Sequence, residues 1–173
     1  MALRKMLGSV DHPAIVRLMR LIETQSKPTL TRFASEYVAA HYLPITDELI
    51  PGDPRLRAAV EAVRAHLDGA PLAAVKASVK DARTAAQALG KEPVAQAAAR
   101  AIATACAVAA TPTNALGFAF YGAAAFAYHT AGTAADPGVH DDLATQELER
   151  ICAALEAVSI PDETNPVKVD WGC

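Results

Sequence analysis

The sequence predicts an all-α fold: a single-domain bundle of about six or seven helices around an alanine-rich central hairpin. Three observations predict it. Forty of the 173 residues are alanine, the residue that loses no side-chain entropy in a helix. Aromatic residues make up 5% of the chain and β-branched runs are absent, which argues against strands. No Asp, Glu, Lys or Arg occurs between Ala101 and Ala135, a stretch that reads as two helices apolar all round because they are buried all round.

Helix punctuation orders the elements. Asp11 is placed to cap a first helix, with Pro13 in its first turn, running to about Thr24. Ser26-Lys27-Pro28 breaks it. Thr29 is the expected cap of a second helix through Tyr42, ended by Pro44, and residues 46–50 read as a short helical turn. Asp53-Pro54 forms an N-cap and first-turn pair, and the helix behind it ends at Gly69. Its apolar stripe is Leu56, Val60, Val63 and Leu67. Its opposite stripe is Arg57, Glu61, Arg64 and Asp68, a ladder of opposite charges at helical spacing. That ladder reads as a solvated face, with an Arg/Asp network between neighbouring helices as the sharper alternative.

Pro71 starts the next helix, with Leu72, Val75, Val79, Ala82, Ala86 and Leu89 inward, and Gly90 ends it. Pro93 starts another, with Val94, Ala98, Ala101 or Ile102, Ala105 and Val108 on one side, and residues 111–114 break it. A long helix from about Ala115 to His129 completes the uncharged hairpin. Residues 132–138 read as a loop, with Asp136-Pro137-Gly138 as a turn. Asp141 or Asp142 is the expected start of the last helix, through Val158, with Ala144, Leu148, Ile151 and Leu155 inward. Residues 1–158 thus form one helical domain. Residues 159–173 form an irregular tail on its surface, anchored by Trp171.

The hairpin does not read as a membrane element. Each apolar run is about 14 residues where roughly 20 are needed, and Thr104, Asn114 and Thr130 interrupt the runs. Small side chains let the two helix axes approach closely, and Gly117 and Gly122 permit contact in the same way. The net charge of -3 and pI near 5.9 supply no basic field for nucleic acid. Cys106, Cys152 and Cys173 form neither a disulfide framework nor a zinc pattern. The first two read as core thiols, in keeping with a reducing cytoplasm. Nothing apolar follows Arg4 and Lys5, so no signal peptide is expected.

The chemistry-bearing motifs are few. No nucleotide-binding glycine loop and no nucleophile elbow occurs. The five histidines fall in no metal-ligand spacing. The sequence therefore predicts no catalytic constellation, no metal and no cofactor. His129 closes a helix whose dipole favours it there, with ligand contact as the alternative. His140-Asp141-Asp142 is explained by helix capping. Tyr121 and Tyr128 lie seven apart on one helix face, where core packing competes with a small pocket that would also include His129.

The run from Asp53 to Arg64, followed by Gly69, resembles a family of bacterial Imm-5-like immunity proteins. Their pattern reads D-x-R-P-R-x-A-[IV]-E-A-x-R, then an aromatic residue and a glycine. Asp53, Arg55, Arg57, Ala59, Glu61, Ala62, Arg64 and Gly69 match it. Asn114-Ala115-Leu116-Gly117 with Tyr121 is similar to the later H-A-x-G-x-x-x-Y stretch. The resemblance spans about residues 30–130. Leu56 replaces the family's proline, His66 its tryptophan and Asn114 its histidine, and no histidine lies between His66 and His129. The resemblance implies a cytoplasmic binding protein, monomer or homodimer, that neutralises a bacterial protein toxin by protein–protein contact. Asp53, Arg55, Arg57, Glu61, Arg64, Asn114, Tyr121 and His129 are then the candidate motif or interaction residues. The arginines read as structural, with Asp53, Glu61 and Asp68 as near partners. A small-molecule-binding or enzymatic helical domain and a structural or oligomeric module remain alternatives on the residues alone.

Overall fold

The computed structural model describes residues 2–172. Among them lie eight α-helices and one 3-10 turn: α1 Pro13–Ile22, α2 Lys27–His41, α3 Leu43–Leu49, α4 Arg55–Leu67, α5 Leu72–Ala88, α6 Pro93–Cys106, the 3-10 turn Ala107–Ala109, α7 Asn114–Ala131 and α8 Pro137–Val158. The described residues hold no strand; the one β-type pairing there is an isolated antiparallel bridge between Ser26 and Pro166. The expected all-α fold is the fold found.

The uncharged stretch takes in the end of α6 after Arg100, the 3-10 turn and α7, and α6 with α7 forms the most extensive helix pair among the described residues. On α6, Ala97, Ala98, Ala99, Ala101, Ile102, Ala103, Ala105 and Cys106 are all buried. On α7, Phe118, Ala119, Gly122, Ala123, Ala124, Ala125 and Ala127 are buried. Gln96, Arg100 and Thr104, half-buried and at helical spacing, mark the face by which α6 reaches the surface, so the burial expected all round is met on its other sides only. Around the hairpin, α8 packs on α7, α5 packs on both α4 and α6, and α2 crosses α6. These outer helices are amphipathic. Leu56, Val60 and Val63 of α4, Val75, Val79, Ala82 and Ala86 of α5, and Ala144, Leu148, Ile151 and Leu155 of α8 face inward, as their spacing requires. Cys106 and Cys152 are core thiols, both fully buried.

Several helix starts differ from the sequence reading, and proline is the common reason. His12, not Asp11, caps α1, with its Nδ1 accepting from the Ala14 N–H at 3.1 Å. Ser26, not Thr29, caps α2, and Pro28 lies in the first turn. Pro44 does not end a helix but opens α3. Asp136-Pro137 is a helix start rather than a loop turn, so α8 begins before Asp141. Proline lacks an N–H that the first turn leaves unpaired anyway, and its fixed φ suits that position. Pro54, not Asp53, is the N-cap of α4; just ahead of it, Asp53 Oδ1 accepts from the Arg55 N–H at 3.0 Å.

Described residues near both ends lie against the bundle. Leu7 is buried and its N–H donates to the Phe120 carbonyl at 3.1 Å. At the other end, Gln25 clamps the tail: its Oε1 accepts from Ile160 N–H at 2.8 Å and its Nε2 donates to Ile160 C=O at 3.1 Å. Glu163 accepts from the Ser26 N–H and from Thr29 Oγ1. Trp171 Nε1 donates to Glu23 at 2.7 Å.

Candidate functional site

The site begins with a glutamate on the wrong face of a helix. Glu147 follows Ala144 by three residues and precedes Ile151 by four, so α8 carries it inward with its apolar stripe. It is 0% exposed. A buried carboxylate is costly unless hydrogen-bonded or paired. Two phenols meet the need. Tyr37, near the end of α2, and Tyr42, at the α2–α3 junction, both donate to Glu147 Oε1, at 2.8 and 2.6 Å. Such charge-assisted bonds are short and strong.

Gly122 of α7 makes room for this arrangement. A Cβ there would lie 2.2 Å from Tyr42 Oη and 2.6 Å from its Cζ. The glycine expected to bring two helices together instead seats a phenol ring. Burial, reinforced by the Glu147 carboxylate, pushes both the Tyr37 and Tyr42 hydroxyls above the ordinary phenol range.

The second carboxylate oxygen is treated differently. Arg150 Nη1 stands 3.1 Å from Glu147 Oε2, yet no donor points at that oxygen in hydrogen-bond geometry. The contact is an ion contact that leaves Oε2 without an aligned donor. Arg150 is held elsewhere as well: its guanidinium carbon sits 5.0 Å from the Phe126 ring centroid, and Nη2 lies 3.4 Å from His41 Nδ1. The His41 ring stacks beside Tyr37, with centroids 4.3 Å apart. Burial lowers its pKa from the ordinary imidazole range; Glu147 opposes that effect and Arg150 adds to it.

A cleft of about 280 Å³ opens at this place, lined by His41, Glu48, Phe126, His129, Glu147 and Arg150 among others. His129 Nε2 lies 3.4 Å from Glu48 Oε2 across the α3–α7 contact. A second hollow of about 430 Å³ adjoins it between α2 and α8, with Phe33, Tyr37, Ala154, Val158 and Ile160 in its wall, and His41 borders both. A largely apolar hollow along α2, from Thr29 to His41, thus meets a small cleft that holds charges of both signs.

The residues singled out from sequence do not converge. Asp53 and Arg55 form a bidentate pair with each other. Arg57 pairs with Asp47 of α3 at 2.5 Å, and Arg64 pairs with Glu36 of α2 through Nε at 2.9 Å and Nη2 at 3.1 Å. The arginines therefore join helices instead of forming a ladder along α4. Glu61 is exposed and reaches Arg64 only through its charge. Asn114 opens α7 and His129 lies near its other end, about 22 Å away at the rise of an α-helix. Tyr121, Tyr128 and His129 border three different hollows, so the single pocket expected to include them does not form. Of the candidates, His129 alone lines the cleft.

Glu147, Tyr37, Tyr42, His41 and Arg150 were not singled out. The signal for Glu147 was present, since it sits in register with Ala144, Leu148 and Ile151. The signal for the tyrosines was not, because their role depends on where the α2–α3 junction meets α7.

Among the described residues, no group of three or more His, Cys, Asp or Glu side chains is placed to hold a metal ion. No helix there is long and apolar enough to cross a membrane. The family model described as Imm-5 like putative immunity protein matches residues 20–157, a span wider than the motif resemblance, and the chain belongs to that family. No curated protein and no solved structure matches the chain.

Proposed function

We propose that this protein is an immunity-type binding protein that neutralises a bacterial toxin in the cytoplasm by protein–protein contact. The observation that carries the reading is the family match over residues 20–157. The geometry supports a particular contact face: the groove between α2 and α8 from Thr29 to His41, with α3 and the end of α7 beside it. There an apolar hollow with exposed Val158 and Ile160 adjoins the charged cleft. Protein interfaces join an apolar centre to a polar rim, with aromatic and arginine side chains supplying most of the energy. In this reading Arg57 and Arg64 do not touch the toxin. They fix α3 and α2 against α4 and keep the face in shape.

The test is growth rescue. Toxin domains encoded in the same genome are expressed in a sensitive bacterium with and without this chain. The expected outcome is rescue from one of them and co-purification of the pair. Val158→Asp and Ile160→Asp, both on exposed side chains, then lose rescue while melting like the parent. Failure to neutralise any of those toxins overturns the function. Full rescue by both aspartate variants overturns the face.

A further inference from the structure

A hollow between α5, α6 and α7 gathers hydrogen-bond donors and no carboxylate. Its polar lining is Arg83 and Gln87 of α5, Arg100 and Thr104 of α6, and Tyr121 of α7. Arginine in this chain usually finds an acid. Six of the ten arginines are ion-paired, and Arg83 and Arg100 are not among them. Nor is the Thr104 hydroxyl spent on its own helix, as that of Thr84 is on the Lys80 carbonyl at 3.1 Å. Among the described residues, the side chains of Gln87 and Tyr121 have no hydrogen-bond partner either.

The sequence explains the lack of acids. The rest of α6 after Arg100 and all of α7 carry none. Helix α5 carries one, Asp81, whose charge acts on Arg55 of α4. Glu92 caps α6 eight residues before Arg100, about 12 Å away at the rise of an α-helix. Lys80, one turn before Arg83 on α5 and exposed, adds positive charge on the same side. Arg100 is half-buried, so its side chain gives up part of its water without gaining a carboxylate in return.

We propose that this hollow binds a phosphate group, as the free ion or as a small monoester, held by Arg83 and Arg100 with Thr104, Gln87 and Tyr121 as further donors. Two guanidiniums match the double charge of a phosphate monoester, and donors from three helices suit an ion with several acceptor oxygens. A carboxylate has one charge and two oxygens, which a single guanidinium satisfies. The hollow, about 180 Å³, admits a phosphate with a short ester and leaves no room for a nucleoside. It shares no lining residue with the groove between α2 and α8. The inference therefore does not rest on toxin neutralisation, and its readout is separate from growth rescue.

The test is a titration of the ¹⁵N-labelled chain at pH 7.5 and constant ionic strength, followed by amide shifts. The probes are sodium phosphate, methyl phosphate, sodium acetate and sodium chloride. The expected result is saturable shifts from the two phosphates, centred on Arg83, Gln87, Arg100, Thr104 and Tyr121, which acetate and chloride do not reproduce. Tighter binding of methyl phosphate assigns the site to monoesters, and tighter binding of the inorganic ion assigns it to free phosphate. Arg83→Gln and Arg100→Gln are each expected to weaken binding roughly tenfold or more, the effect of one lost charge-assisted bond. Arg20→Gln removes the same charge from an exposed arginine of α1 that is also without an ion pair and should bind like the parent. Should R100Q fail to fold, R83Q, at an exposed position, decides alone. The proposal is overturned if no saturable shift appears, if acetate or chloride gives the same shifts, if R83Q binds like the parent, or if R20Q weakens binding as much as R83Q does.

Discussion

Replacing Gly122 by alanine tests the packing logic of the whole core. In an ordinary helix interior this change is favourable by about 1 kcal/mol, because glycine loses more backbone entropy on folding. Here the new Cβ would stand 2.2 Å from Tyr42 Oη, 2.6 Å from Cζ and 2.7 Å from Cε2. No carbon approaches so closely, so the ring must move. Tyr42 is 1% exposed, and its hydroxyl is fixed to Glu147 at 2.6 Å. Moving it costs about 1–3 kcal/mol in overpacking, plus roughly 1.5–3 kcal/mol where the bond to a charged acceptor is lost. After the helix gain is subtracted, the net is a destabilisation of about 3 kcal/mol. For a chain of this length that lowers Tm by roughly 6–12 °C.

Gly117, on the same helix, is the control. A Cβ there meets Thr104 Cγ2 at 3.5 Å and Asn114 Oδ1 at 3.8 Å, ordinary van der Waals contacts. Gly117→Ala should raise Tm by a few degrees, on the helix-propensity term alone. Thermal melts followed by circular dichroism read both variants. The double variant Gly122→Ala with Tyr42→Phe removes the closest clashing atom, so the two changes should couple: the pair costs less than the sum of its parts. A Gly122→Ala protein that melts at or above the parent temperature would refute the placement of Tyr42.

Other expectations follow from the ion pairs, the phenols, the tail and the thiols. The hydrogen bond from Arg64 lowers the pKa of Glu36, and that from Arg55 lowers the pKa of Asp53. The unfolded chain takes up these protons first, so the stability they contribute is present above the ordinary carboxylate range and is lost as pH falls through the folded values. Arg64→Ala should flatten the acid limb of a urea-melt pH series without changing its alkaline limb. At high pH the sign reverses for Tyr37 and Tyr42, whose folded pKa values are raised. Phenolate absorbance at 295 nm should therefore include a late, cooperative rise that coincides with unfolding, and Glu147→Ala should move that rise to lower pH. Gln25→Ala orphans the Ile160 N–H and C=O that it clamps, costing about 1–3 kcal/mol, and Trp171 emission should shift to the red as the tail loosens. Burial pushes the Cys106 thiol up to about 12 and raises Cys152, so neither should react with a disulfide reagent until the chain unfolds.

The architecture was legible because its signals are local. Alanine content, proline at helix starts and apolar stripes at spacings of three and four each act within a turn or two. The charges were legible only in part. Arg57 and Arg64 have Glu61 and Asp68 at helical spacing, and sequence alone pairs them along α4. Such intrahelical pairs are worth only a few tenths of a kcal/mol. A long guanidinium that finds a carboxylate on the next helix gains a better-fixed partner, as Arg64 does with both oxygens of Glu36. Which helix stands next is a tertiary fact. The same holds for Tyr121, Tyr128 and His129: helical spacing placed the tyrosines on one face, but three sets of neighbours decide which hollow each one borders.

The core and the cleft have one physical cause. A hairpin of alanine and glycine has thin walls, and the space left beside Gly122 is filled by the ring of Tyr42. A buried tyrosine brings a hydroxyl that needs a partner. Glu147 supplies it, shared with Tyr37, and with it the core acquires a carboxylate. That charge draws Arg150, whose Nη1 stands 3.1 Å from Oε2 while its guanidinium carbon lies over Phe126 and its Nη2 near His41. The cleft opens beside this pair, with Glu147 and Arg150 both in its lining. The uncharged hairpin thereby places a charged site to which its own residues Phe126, His129 and Thr130 supply part of the wall and no carboxylate or guanidinium. A change at Gly122 should consequently disturb the Tyr42–Glu147 contact as well as lower stability, and Gly117→Ala, on the same helix, should leave that contact unchanged.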